Sequence, residues 1–244
     1  MSCEHGAAPG NGLGPAFLDP NARGRELPPT SRFAGDSGQG DPALEAAVET
    51  ADLSQIVRAL PGSRLLVPVL ASPEADHEGS AGIVALAAPD GRTALPVFTS
   101  VTALRTWQRT ARPMPTESER AAAAALGEGW QILVINPGTA NLVVPRPAVY
   151  ALALGQEWRP AVQEGKVAPR VEAVVGQILQ TVPQVRRTAV LPGQRAEVRV
   201  QLFLEQGLTK VQLDDVVAQV SQVLASHEEF IQLVDSVELG LSAA

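Results

Sequence analysis

Patterned apolar residues begin near position 42. Before it, Leu13, Phe17, Leu18, Leu27 and Phe33 are scattered among Gly, Pro, Asn, Asp and Ser. Such a segment buries too little surface to offset its ordering entropy, so residues 1–41 are expected to form a disordered tail. From 43 to 60, Leu44, Val48, Leu53, Ile56, Val57 and Leu60 recur near helical spacing. Asp41 is placed to cap this helix, Pro42 fits its first turn, and Pro61-Gly62 ends it. Residues 64–70 read as a strand, where Pro68 indicates an edge or a bulge. A polar loop, 72–80, follows. Residues 83–87 and 93–98 read as strands around the hairpin signal Pro89-Asp90-Gly91. Helices are expected at 100–110 and 116–126. Strands at 132–135 and 142–144 flank Asn136-Pro137-Gly138, and a short helix covers 147–154.

A mixed linker, 161–168, separates this region from a second one. There a helix at 170–182 stops at Pro183, and strands at 185–191 and 196–204 flank Pro192-Gly193. Leu213, Val216, Val217, Val220, Val223 and Leu224 form one stripe of a helix over 213–226. Asp214 and Asp215 would then sit in its first turn, where the helix dipole favours them. Residues 233–241 read as a strand. The expected fold class is α/β (α+β), with two small domains at 42–160 and 169–241. Each is a mixed or antiparallel sheet packed with helices, and the second has the order αββαβ.

Composition narrows the functional classes. The 244 residues carry 26 acidic against 19 basic side chains, a net charge of -7. That balance argues against a general nucleic-acid binder, which needs a basic surface for phosphates. No stretch approaches the roughly 20 apolar residues of a membrane span. The first 30 residues hold no apolar run, so a cytoplasmic protein without membrane attachment is expected. The single Cys3 allows no intrachain disulfide. With aromatic residues at 4%, the cores must be built from Val, Leu, Ile and Ala.

Catalytic and metal-binding patterns are sparse. His5, His77 and His227 are far apart and have no Cys partner, so no metal site is expected. No Gly-x-Ser-x-Gly elbow or phosphate-binding Gly-Lys-Ser/Thr loop occurs. The run from Gly10 to Gly14 follows no strand and opens no helix. Asp214/Asp215 and Glu228/Glu229 are adjacent pairs, which point about 100° apart on a helix and form no acid–base couple. No enzymatic activity and no cofactor are expected.

Two features point to binding. At Phe98-Thr99-Ser100 a strand runs into a helix. Thr99 or Ser100 would cap that helix, and the same free N–H groups could receive an anion. Arg105, Arg109 and Arg112 are spaced four and then three apart, which on a continuing helix puts them on one face. That face suits an acidic partner or a phosphate. Trp107 lies between these arginines in sequence and is expected to point into the core, as is Trp158 near the end of the first domain.

Several of these segments carry a family resemblance. They are Leu66-Val67-Pro68-Val69, then Leu95-Pro96-Val97-Phe98-Thr99-Ser100 with Leu104 and Trp107. Leu133-Val134-Ile135-Asn136-Pro137-Gly138 and Pro145-Arg146 with Trp158 complete the set. Over about 43–160 the chain resembles the N-terminal domain of the SseB family, bacterial proteins associated with enhanced serine sensitivity. Residues 169–241 are similar to that family's smaller C-terminal domain. The resemblance implies an α/β fold and a cytoplasmic protein, and it implies no catalytic residue.

The functional expectation is a non-enzymatic binding or regulatory module with a protein partner. Its surface would be built from Phe98, Thr99, Ser100, Arg105, Arg109, Arg112, Asn136, Pro137 and Gly138. The alternative is a sensor or enzyme for a small anionic metabolite such as an amino acid, bound at the Thr99/Ser100 helix start. Self-association through the strand at 233–241 is a further expectation, because such a strand can lie on an open edge.

Overall fold

In the computed structural model, which describes residues 33, 35–71, 81–88 and 90–244, the apolar stretch after Asp41 forms two helices rather than one. These are α1 (Pro42–Thr50) and α2 (Leu53–Ala59). Ala51 takes a left-handed conformation (φ 54°), and the Asp52 side chain accepts from the N–H groups of Ser54 and Gln55. Asp52 thus caps a new helix instead of sitting inside the old one. Asp41 caps α1 as expected, accepting from Ala43 and Leu44.

By internal contacts the chain divides into residues 1–36 and 37–244. In the first unit the Asp36 N–H donates to the Phe33 carbonyl (3.0 Å). The expected tail at 1–32, the loop at 72–80 and Pro89 lie outside the described residues. In the second unit the carbonyl of Gly38 accepts from the Val101 N–H (2.9 Å), and that of Gln39 accepts from the Arg64 guanidinium. Residues 38 and 39 therefore lie against the folded chain.

Strand β1 (Arg64–Ala71) is the centre of a three-stranded sheet, between β2 (Ala81–Ile83) and β5 (Arg112–Glu117). The edge or bulge expected from Pro68 is not found. Leu66 exchanges backbone hydrogen bonds with Phe98 on the side away from β5. Backbone polarity alternates along a strand, so Pro68 also turns from β5. Its missing donor falls between the Leu66–Phe98 bridge and the β2 pairing, which starts at Val69. Strand β5 was not expected, because Pro113 and Pro115 read as a loop. Its hydrogen bonds to β1 come from Arg112, Met114 and Thr116, opposite Val69, Val67 and Leu65, and both prolines face the open edge.

A second sheet has the order β3-β4-β6-β7, with β4 parallel to β6. Its strands are β3 (Leu86–Ala87), β4 (Thr93–Val97), β6 (Ile132–Ile135) and β7 (Leu142–Val144). The single strand expected at 83–87 is thus split between the two sheets, β2 with β1 and β3 with β4. The helices of this part are α3 (Val101–Trp107), α4 (Ser118–Gly127) and α5 (Arg146–Ala153). Leu65, Val67, Leu95, Val97, Leu133 and Ile135 are buried with side chains of α1, α2, α4 and α5. Leu66 points to the opposite face and joins a small cluster with Phe98, Leu104 and Ala111.

The expected linker holds a short hairpin, β8 (Val162–Gln163) and β9 (Lys166–Val167). Glu164 and Gly165 both have positive φ (51° and 72°), which suits a two-residue hairpin turn. Beyond it lie α6 (Pro169–Leu179), β10 (Val185–Pro192), β11 (Val198–Leu204), α7 (Lys210–Ser226), α8 (Glu228–Leu233) and β12 (Val237–Ala243). The sheet order is β10-β11-β12, antiparallel then parallel. Along β11, Val198, Val200, Leu202 and Leu204 are buried in a core shared with α6, α7 and α8. The fold is therefore α+β, with mixed sheets packed against helices.

Two expectations need correction in this part. Helix α7 starts three residues early, because Thr209 and Gln212 form a reciprocal capping box. Asp214 and Asp215 consequently sit in its second turn. The expected strand at 233–241 begins only at Val237, because Glu228 and Glu229 open α8, where the helix dipole favours them. Phe230 and Val234 bury the end of that segment.

The β10–β11 connection depends on Gly193, where an added Cβ would collide with the backbone carbonyl of Ala196. Gly193→Ala is expected to destabilise the protein by about 1–3 kcal/mol through overpacking against rigid backbone, read as a lowered midpoint of urea unfolding.

Candidate functional site

Parallel strands β4 and β6 end side by side, so the segments leaving them meet. The Asn136 N–H donates to the Val97 carbonyl (2.9 Å). Its side-chain oxygen accepts from the Thr99 N–H (3.0 Å), and its amide nitrogen donates to the Thr99 hydroxyl (3.0 Å). Thr99 and Asn136 are both buried, so their polar groups satisfy each other. Asn136 has φ 49°, a conformation that Asn tolerates better than most residues. Gly138 has φ 83°, and its N–H donates to the Asn141 side chain (2.8 Å). The sequence-predicted site residues Thr99 and Asn136 are thus brought together.

Phe98 and Pro137 are buried, and Ser100 caps α3 by accepting from the Ala103 N–H. The Val101 N–H is bonded to Gly38. Donors required for an anion at the Thr99/Ser100 helix start are therefore engaged within the chain.

The three arginines do not share a helix face. Helix α3 stops at Trp107, so Arg109 lies in the following turn and Arg112 opens β5. Two causes are visible. Ala111 is buried with Leu66, Phe98 and Leu104, which pulls the chain back onto the sheet. Pro113 also biases Arg112 toward extended backbone. Trp107 is half-buried and packs on Phe98, with ring centroids 5.3 Å apart and planes inclined by 39°. Arg105, Arg109 and Arg112 are all exposed, and none forms an ion pair within the described residues.

Residues 41–151 match the family model described as SseB protein N-terminal domain. Over those residues the chain belongs to the SseB family. No curated protein and no solved structure matches the chain. The SseB domain contains the β4–β6 strand ends, the three arginines and the Asn136-Pro137-Gly138 turn.

A second constellation joins the SseB domain to residues after 151, and sequence reasoning missed it. The Asp235 carboxylate accepts from the Arg92 guanidinium (2.7 Å) and from the Arg146 N–H (3.0 Å). The Arg146 side chain donates to the Val234 carbonyl (2.9 Å). Glu197 accepts from the N–H groups of Asp235 (2.8 Å) and Ala161 (3.2 Å). Burial pushes the Glu197 carboxyl above its ordinary value, against the pull of these two donors. Burial also lowers the Arg146 guanidinium, with Asp235 opposing. These residues are up to 143 positions apart, and no local spacing links them.

Beside this network, half-buried Trp158 lines three clefts. One, of about 380 Å³, is bounded by Val57, Arg58, Glu119 and Leu152. Another, of about 480 Å³, reaches Glu197 and Asp235, and a third, of about 500 Å³, reaches Tyr150 and Arg170. Trp158 packs against the first core, as the sequence led us to expect.

Two measurements test these assignments. Asn136→Ala leaves the buried Thr99 N–H without its acceptor and is expected to cost about 1–3 kcal/mol of stability, read by denaturant unfolding. The raised Glu197 carboxyl holds its proton to a higher pH in the folded chain than in the unfolded one. Its stabilising contribution is full below the ordinary glutamate value and is lost as pH rises through the raised one. Wild type should therefore lose Tm relative to Glu197→Gln as pH rises through that window. A constant difference would contradict the assignment.

Proposed function

We propose that this SseB-family chain is a non-enzymatic, cytoplasmic binding or regulatory module whose SseB domain receives an acidic protein surface. The supporting observation is the set Arg105, Arg109 and Arg112, exposed and free of ion pairs beside half-buried Trp107. Elsewhere Arg92, Arg159, Arg170 and Arg186 are engaged by carboxylates of the chain itself. Three guanidinium groups close in sequence are thus available to carboxylates from outside, and Arg suits such planar, two-point contacts. Met114, 38% exposed and next but one to Arg112 on β5, adds an apolar contact at the rim. The net charge of -7 repels acidic partners from most of the surface and confines their approach to this patch. Thr99, Asn136 and Gly138 then act as the frame that fixes the strand ends beneath it.

The test is affinity capture with the purified full chain at low salt, where exposed charge contacts are least screened. Capture by wild type should be lost in the Arg105→Glu/Arg109→Glu double variant and should weaken as salt is raised. Retention of every captured protein by the double variant would exclude this surface.

A further inference from the structure

We infer that β12 is a dimerisation edge and that its occupant is β12 of a second copy of this chain, paired antiparallel about a two-fold axis at Gly240. The printed ladder shows which backbone groups are free. The Val198 N–H donates to the Ser236 carbonyl (3.2 Å), and the Ala244 N–H donates to the Leu204 carbonyl (2.8 Å). Even-numbered residues of this strand therefore face β11. By alternation, Val237, Leu239, Leu241 and Ala243 turn both N–H and C=O to the open side. Among the described residues, β11 alone pairs with β12.

The other long edges of the protein are guarded. On β5, Pro113 and Pro115 remove the outward donors. On β10, Arg186 and Arg187 accompany an irregularity in pairing between Val185 and Arg187, and the strand ends at Pro192. β7 is only three residues long. These are the usual devices against edge pairing, and β12 has none of them. It holds no Pro, Lys or Arg, and its one charge, Glu238, is already bound by the N–H groups of Gln194 and Arg195.

The strand is also self-complementary. Centred on Gly240, Leu239 of one copy lies opposite Leu241 of the other, and Val237 lies opposite Ala243. All four are outward-facing, so each donates one hydrogen bond and accepts one. Their side chains share the helix-covered face, where Leu239 already packs on the core and Leu241 and Val237 remain 42% and 37% exposed. Cross-strand apolar pairs of this kind stabilise a ladder. On the other face Glu238 meets Ser242, so the two carboxylates of the dimer are not opposed. A two-fold axis generates this isologous contact directly.

The experiment measures the mass of the full chain in solution across a concentration series, with amide hydrogen exchange on the same samples. Wild type should form a dimer in which the Leu239 and Leu241 amides are protected, and should lose that protection on dilution. Leu241→Pro removes an outward donor and leaves the β11 ladder intact. Leu241→Lys introduces an edge charge without touching the backbone. Both should be monomeric with unchanged circular dichroism. A chain that is monomeric at every concentration overturns the inference. So does a dimer that survives both substitutions, or one whose Leu239 and Leu241 amides exchange as fast as in the monomer.

Discussion

Two backbone hydrogen bonds between Leu66 and Phe98 join the β2-β1-β5 sheet to the β3-β4-β6-β7 sheet. Much of the SseB domain follows from that bridge. It fixes which way β1 faces, and therefore puts Leu65 and Val67 in the main core and Leu66 in the small one. It holds Phe98 at the end of β4, so that Trp107 can pack on it and the chain can return as β5. It also places Thr99 beside Asn136, where the parallel register of β4 and β6 completes the contact.

What could be read from the sequence was what rests on local pattern. The strands 132–135 and 142–144 and the Asn136-Pro137-Gly138 turn depend on neighbouring residues, and they are found where expected. The stripe of α7 was likewise visible. Errors arose where a long-range contact or a cap outweighs periodicity. Asp52 breaks one apolar pattern into two helices, and Pro113 and Pro115 disguise a strand whose register places them harmlessly. At the candidate site, Thr99 and Asn136 were legible because both terminate strands. The supposed arginine face was not, because burial of Ala111 ends α3 early. The Asp235 network was invisible for a simpler reason, since its members come from distant segments.

The two parts of residues 37–244 are joined mainly through polar chemistry. Asp235 draws on Arg92 and Arg146 from the SseB domain, while Glu197 ties Asp235 to Ala161. Such a partly buried network is directional, and each member depends on the others being in place. It fixes an orientation more than it adds stability, because the desolvation of Glu197 and Arg146 offsets much of the attraction. The clefts around Trp158 lie where this polar joint meets the apolar core.

The spacing of Pro113 and Pro115 has a consequence for how β5 responds to its surroundings. A charged guard weakens when salt screens it, as it would for Arg186 and Arg187 on β10. A proline guard works by lacking a donor, and no change of pH or ionic strength restores one. The SseB domain therefore keeps one edge closed under any solvent condition in which it remains folded. The protection is also a matter of phase. Loss of one residue between the prolines would turn one of them inward, and the same chemistry that closes the edge would then break the sheet.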